Sequence, residues 1–179
     1  CLAFVRAGIV TLVSRGGKVI ENMDHIKKAI LENVKGDMIL DGELWMDDNF
    51  QENMKAIKKY TKGVSEKIQY HIYDFIPQKP NVDLSFEDRH DALEHVIKKT
   101  GVLQLVETFQ IRNEAQLLKC HKQFISEGFE GTMIRWGTIG YPINKRSSNL
   151  LKYKDFQDIA LKIIDVIPSE QRPTWGQPI

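Results

Sequence analysis

The stretch Met38-Ile39-Leu40-Asp41-Gly42-Glu43-Leu44-Trp45 decides how the rest of the chain is read. Apolar side chains flank two carboxylates and one glycine, which is the pattern of a buried strand with acid set into it. On a strand, positions two apart point to one face, so Asp41 and Glu43 are expected to share a side. Gly42 between them leaves room for another backbone or a ligand. A carboxylate among apolar neighbours costs free energy unless something pairs with it. Two readings stand side by side. In one, Glu43 contacts a metal ion or a ligand hydroxyl. In the other, Asp41-Gly42 makes a hairpin turn.

Upstream, residues 2–6 and 9–13 read as two strands joined by a tight Ala7-Gly8 hairpin. Ser14-Arg15-Gly16-Gly17 ends the second strand, either as a plain turn or as a guanidinium placed near a phosphate. Residues 24–34 predict a helix capped by Asp24, with Ile26, Ala29, Ile30 and Val34 at helical spacing and Gly36 stopping it. Downstream, Lys55, Lys58, Lys59, Lys62 and Lys67 form a basic segment, read as a solvated surface helix or a phosphate-backbone contact.

Gln69–Phe75 is rich in β formers and predicts a strand, with Tyr73 and Phe75 on one face and Asp74 on the other. Tyr73 is read as core or as a stacking platform for a base. His71 has no metal spacing and is read as structural. Residues 85–99 predict a second helix, opened by a Ser85–Asp88 capping box. A strand over 102–111 and a third helix over 113–127 follow, with Leu117, Leu118, His121, Phe124 and Ile125 facing inward. Glu130-Gly131 then precedes an apolar strand, repeating the device at Asp41–Glu43. Lys152 and Lys154 stand two apart on a further strand, so both ammoniums project to one side. Either a polyphosphate sits between them, or they guard an exposed edge. One more strand is expected over 158–167.

The bulk properties set outer limits. Of 179 residues, 42% are hydrophobic and 27% charged, enough apolar material for a packed core. A net charge of +1 means that any basic surface must be local. Cys1 and Cys120 form no metal spacing and suggest a reduced, intracellular setting. No apolar run reaches the roughly 20 residues that span a bilayer.

Ser14-Arg15-Gly16-Gly17, Asp41-Gly42-Glu43-Leu44, Tyr73-Asp74-Phe75, Glu130-Gly131-Thr132-Met133-Ile134-Arg135 and Leu151-Lys152-Tyr153-Lys154 occur in one order. That series resembles the motifs of covalent nucleotidyltransferases, and the chain is similar to ATP-dependent DNA ligases of the compact viral or bacteriophage kind. The resemblance covers residues 1 to about 156. It implies an α+β, ATP-grasp-like adenylation domain of antiparallel sheets flanked by helices over 1–156. The start of an OB-fold domain or a linker would occupy 157–179.

The resemblance also implies a chemistry: a lysine attacks the α-phosphate of ATP, and AMP passes to the 5′-phosphate of a nick in duplex DNA. The 3′-hydroxyl then seals the strand, in repair, replication or recombination. Carried over by position, Arg15 would contact the nucleotide or the nick phosphate, and Tyr73 would stack on adenine. Glu43 and Glu130 would hold Mg²⁺, and Glu43 could also bind the ribose. Lys152 and Lys154 would neutralise the phosphates as catalytic residues. Arg135 would join the nucleotide site, and Arg146 would meet nucleic acid. The nucleophile motif Lys-x-Asp-Gly is expected just before residue 1 and occurs nowhere in the sequence. The chain as written is therefore expected not to adenylylate itself. Alternatives are an RNA ligase, an mRNA-capping guanylyltransferase, or a fragment that binds nucleotide or nicked DNA without turnover.

Overall fold

The computed structural model describes residues 1–47, 50–77, 84–98, 101–136, 140–143, 147–156 and 160–165. The decisive stretch is strand, not turn. It forms β4 (Met38–Trp45), near the middle of a six-stranded sheet. With β1 (Leu2–Arg6), β2 (Ile9–Val13), β3 (Val19–Ile20), β5 (Gln69–Pro77) and β6 (Leu103–Leu105), the spatial order is β3-β2-β1-β4-β5-β6. All neighbouring pairs are antiparallel except β5 and β6, which run parallel. The β1–β2 connection is the expected two-residue hairpin, with positive φ at both Ala7 and Gly8.

Register explains the division of faces. Leu12, Ala3, Leu40 and Phe75 lie in one row across four strands, and all are buried. They join a single core with Ile26, Ala29 and Ile30 of α1 (Asp24–Asn33) and Leu93 of α3 (Phe86–Val96). The adjacent row is Val13, Leu2, Asp41 and Asp74 and belongs to the opposite side of the sheet. Between Asp41 and Gly42 the pairing slips, so that Tyr73 has no partner of its own on β4. Such a bulge re-aims side chains. Here Tyr73 and Asp74 both reach the Asp41 side, whereas Phe75 turns into the core. This corrects the expectation that Tyr73 and Phe75 share a face, which strict alternation cannot foresee.

Other expectations shift for local reasons. Asp24 does not cap α1. Met23 holds the N-cap position without a side-chain bond, and Asp24 lies in the first turn beside Lys27. The Ser85 capping box on α3 is present, closed by Asp88. The strand over 102–111 shrinks to Leu103–Leu105, because only that segment pairs with β5. The basic segment opens with α2 (Phe50–Lys58), followed by a single 3₁₀ turn at Ser65–Lys67. Buried Asn53 pins α2 to the end of β4, accepting from Met46 N at 2.7 Å and donating to Met46 O at 3.1 Å.

A second, two-stranded sheet is made by β7 (Thr132–Arg135) and β8 (Leu150–Tyr153). Preceding it, α4 (Glu114–Ser126) is capped by Asn113 and buries His121. Leu118 and Ile125, expected inward, are each 38% exposed. The strand expected over 158–167 is not formed in its described part, since residues 160–165 have no regular structure. Among the described residues, no helix is long and apolar enough to cross a membrane.

Candidate functional site

The glycine of the opening stretch is needed for a close approach. A Cβ built on Gly42 would fall well inside 3.0 Å of the His71 carbonyl oxygen and 2.8 Å from Cε2 of the Tyr70 ring. Tyr70 is fully buried beneath it, and its hydroxyl donates to the carbonyls of Leu40 and Cys1 at 3.0 Å each. Gly131 repeats the device, its absent Cβ colliding with the Tyr153 carbonyl and sitting 2.9 Å from Lys154 Cβ. The two acid–glycine motifs therefore share a physical cause: each lets a neighbouring strand close on the backbone.

On the outer side of the large sheet, Asp41, Tyr73 and Asp74 gather. Asp74 is fully buried and held by two arginines. Arg89 donates from Nε to Oδ1 at 2.7 Å and from Nη2 to Oδ2 at 3.0 Å. Arg135 of β7 donates from Nη1 to Oδ2 at 2.7 Å, and its guanidinium lies 4.2 Å from the Phe86 ring centroid. Tyr141 donates to Asp41 Oδ2 at 2.6 Å. These last two contacts tie the β7–β8 segment across the outer face of β4 and β5.

Alternation along the small sheet then sets its two sides. Arg135, Met133 and Gly131 alternate to one side, opposite Leu150, Lys152 and the residue after Tyr153, which is Lys154. Lys152 and Lys154 thus project to the side on which Arg135 reaches Asp74. The anion between them is Glu130, with Nζ of Lys152 at 2.7 Å from Oε2 and Nζ of Lys154 at 3.3 Å from Oε1. The hydrogen bond from Lys152, then that from Lys154, hold the Glu130 carboxyl below its ordinary value. All three side chains are about half exposed or more, so the cluster is open to solvent.

Burial lifts the phenols of Tyr73 and Tyr141 well above their usual range, keeping both rings neutral. It lowers His71, which pairs across the ladder with exposed Glu43 and meets Trp45 edge-on. Asp41 is raised by burial and pulled partly back by the Tyr141 hydroxyl. A carboxyl raised on folding contributes stability that is full below its unfolded value and lost as pH rises through its folded value. Tyr141→Phe removes the lowering bond, so Asp41 should titrate higher still. Carboxyl ¹³C NMR of Asp41 would read this, and a midpoint that stays or drops would refute it.

Two charged groups result. One holds Asp41, Tyr73, Asp74, Arg135 and Tyr141, with Glu43 within electrostatic reach of Tyr73. The other holds Glu130, Lys152 and Lys154. Glu43 and Glu130 belong to no group of three metal-ligand side chains among the described residues. Such a group is instead His90, Asp91 and Glu94 on α3. Arg15 is exposed in the turn two residues past Val13, at the end of the row that includes Asp41. Arg146 lies outside the described residues. Sequence reasoning gave no role to Asp74, Arg89 or Tyr141. Arg89 sits in an amphipathic helix without a local sign that it is buried, and Tyr141 meets Asp41 across 100 residues.

Comparison with known proteins gives the family. The profile of the family described as "ATP dependent DNA ligase domain" matches residues 3–154. The DNA ligase of Enterobacteria phage T4 is 25% identical, over 97% of this chain and 46% of that protein. The DNA ligase of African swine fever virus (isolate Warthog) is 26% identical, over 94% of this chain and 42% of its own. The chain thus spans less than half the length of these relatives. A solved structure described as Pmar-Lig_PreS3 superposes with a TM-score of 0.79 at 25% identity, covering 93% of this chain and 42% of that one. Chlorella virus DNA ligase-adenylate shares the fold, with a TM-score of 0.64 at 23% identity, over 94% of this chain and 66% of its own. With the profile covering most of its length, the chain belongs to the ATP-dependent DNA ligase domain family.

Proposed function

We propose that this chain carries the nucleotide site of an enzyme that seals nicks in duplex DNA at the expense of ATP. Residues 1–156 serve as its adenylation domain, and 157–179 as the start of an OB-fold domain or a linker. The observation that carries this is the common side of the two sheets. Lys152 and Lys154 project toward the outer face of β4 and β5, where Asp41, Glu43 and Tyr73 lie.

Triphosphate charge needs cations placed before the reaction begins. Lys152 and Lys154 supply them, and Glu130 keeps the two ammoniums together until phosphate replaces it. The displaced Glu130 carboxylate, with exposed Glu43, is then available to a divalent ion. That ion, Mg²⁺, would supply further neutralisation of phosphate charge. Tyr73, held neutral by burial, offers its ring to adenine without repelling phosphate. Arg15, at the end of the Asp41 row, reaches for the nucleotide or the nick phosphate, and Arg146 for the DNA. Arg135 acts by holding Asp74 and thereby the spacing of the sheets.

In the proposed first step a lysine nitrogen bonds to the α-phosphorus and pyrophosphate leaves. The family resemblance puts that lysine in a Lys-x-Asp-Gly sequence, which residues 1–179 do not contain. AMP then passes to the nick 5′-phosphate and is displaced by the 3′-hydroxyl. The test is incubation with α-labelled ATP and Mg²⁺, then denaturing electrophoresis with intact mass. Residues 1–179 should bind ATP without covalent label, and an added Lys-x-Asp-Gly extension should restore labelling. Lys152→Ala in the extended chain should slow labelling by on the order of 10²-fold. Label on a species with the mass of residues 1–179 would overturn the placement of the nucleophile. If the extended chain neither binds ATP nor takes label, the reading itself fails.

A further inference from the structure

α4 meets the small sheet on the side away from Lys152 and Lys154, and it does so through a polar residue. His121 is 4% exposed and is the buried residue of that helix. Its Nδ1 lies 2.9 Å from Thr132 Oγ1 and its Nε2 3.4 Å from Asp155 Oδ1, while its ring meets Tyr153 edge-on at 4.5 Å between centroids. A carboxylate only accepts, so in the neutral ring Nε2 carries the proton toward Asp155 and Nδ1 accepts from the Thr132 hydroxyl. An apolar side chain would fill this space without the cost of burying an imidazole. What the imidazole adds is direction.

The three partners of His121 interleave with the charged cluster. Thr132 is two residues after Glu130, Tyr153 stands between Lys152 and Lys154, and Asp155 follows Lys154. Thr132 and Tyr153 are themselves opposite one another in the β7–β8 register. Along a strand, fixing alternate residues from behind fixes the aim of those between them.

We propose that His121 is a positioning residue. By gripping Thr132, Tyr153 and Asp155 from behind, it sets the Glu130–Lys152–Lys154 cluster to receive phosphate. The role at phosphate rests on the function proposed above, but the geometric part does not, and the two can be tested separately.

His121→Phe keeps the ring against Tyr153 and removes both polar contacts. Thr132→Val leaves His121 in place and removes only the Nδ1 contact, which provides a second route should the first variant fold poorly. The first readout needs no nucleotide: nuclear Overhauser contacts from the Lys152 and Lys154 side chains to the Glu130 side chain in residues 1–179. Both variants should lose these contacts, because the lysines lose their aim. Contacts unchanged in both folded variants overturn the proposal. The second readout is ATP affinity by calorimetry. His121→Phe should weaken it about tenfold, roughly the loss of one hydrogen bond to a charged group. In a Lys154→Ala background the same change should cost less than about twofold, since coupled residues are not additive. An equal loss in both backgrounds would mean that His121 acts only on overall structure, and would overturn the positioning role. If the unaltered chain binds no ATP while these contacts are still lost in the variants, the nucleotide reading falls and the geometric role of His121 stands.

Discussion

Arg89→Met is expected to lower stability by about 3–5 kcal/mol, the cost of breaking a buried ion pair from one side. Arg89 is 2% exposed and Asp74 fully buried, so water cannot replace the lost partner. Four donors now serve the Asp74 carboxylate: two nitrogens of Arg89, one of Arg135 and the Phe75 amide at 2.8 Å. Removing Arg89 leaves two of these and also frees the Leu84 carbonyl, which accepts from its Nη1 at 2.5 Å. Methionine has similar length and keeps the packing, so the loss isolates the charge. Arg135→Met should cost less, because its side chain is 20% exposed and water can compensate in part. Urea unfolding of both variants reads the difference. Equal costs, or a loss for Arg89→Met under about 1 kcal/mol, would show that Asp74 does not depend on burial of its pair.

Gly42→Ala is expected to cost about 3 kcal/mol, at the upper end for forcing a methyl into a packed interior. The reason is what the methyl meets. A flexible side chain can yield, but the nearest atom is the backbone oxygen of His71, fixed in the β4–β5 ladder. The Tyr70 ring behind it is fully buried, and its hydroxyl donates to the carbonyls of Leu40 and Cys1. To admit the methyl, β4 and β5 must part where Asp41, Glu43 and Tyr73 are arranged. The variant should therefore lose ATP affinity as well as stability. Denaturant midpoints and calorimetry on the same preparation would check both. A variant that unfolds like the parent would show that the strands separate at little cost.

Much of this was legible in the sequence because it depends on local chemistry. Positive φ at Ala7-Gly8, the Ser85 capping box and the period-two burial of β1, β2 and β4 each arise within a few residues. The order of the motifs carried the family, and the profile over residues 3–154 agrees with it. Asp-Gly-Glu read alone left strand and turn equally open. Only pairing of β4 with both β1 and β5 decided for strand.

Tertiary structure decided what lies far apart in the chain. The slip in register at Asp41/Gly42 turned Tyr73 and Asp74 to one side, and no single-strand periodicity contains a neighbour's register. Arg89 is an ordinary helical arginine until α3 packs beside β5 and brings a carboxylate within 2.7 Å. Leu118 and Ile125 looked inward because α4 is amphipathic, yet the small sheet covers only the His121 side. Lys152 and Lys154 were expected to need an anion between them, and Glu130 fills that place within the fold. The spacing of two determined that the charges converge. Folding determined which group answers them, because a carboxylate 22 and 24 residues away reaches them only when β7 and β8 pair.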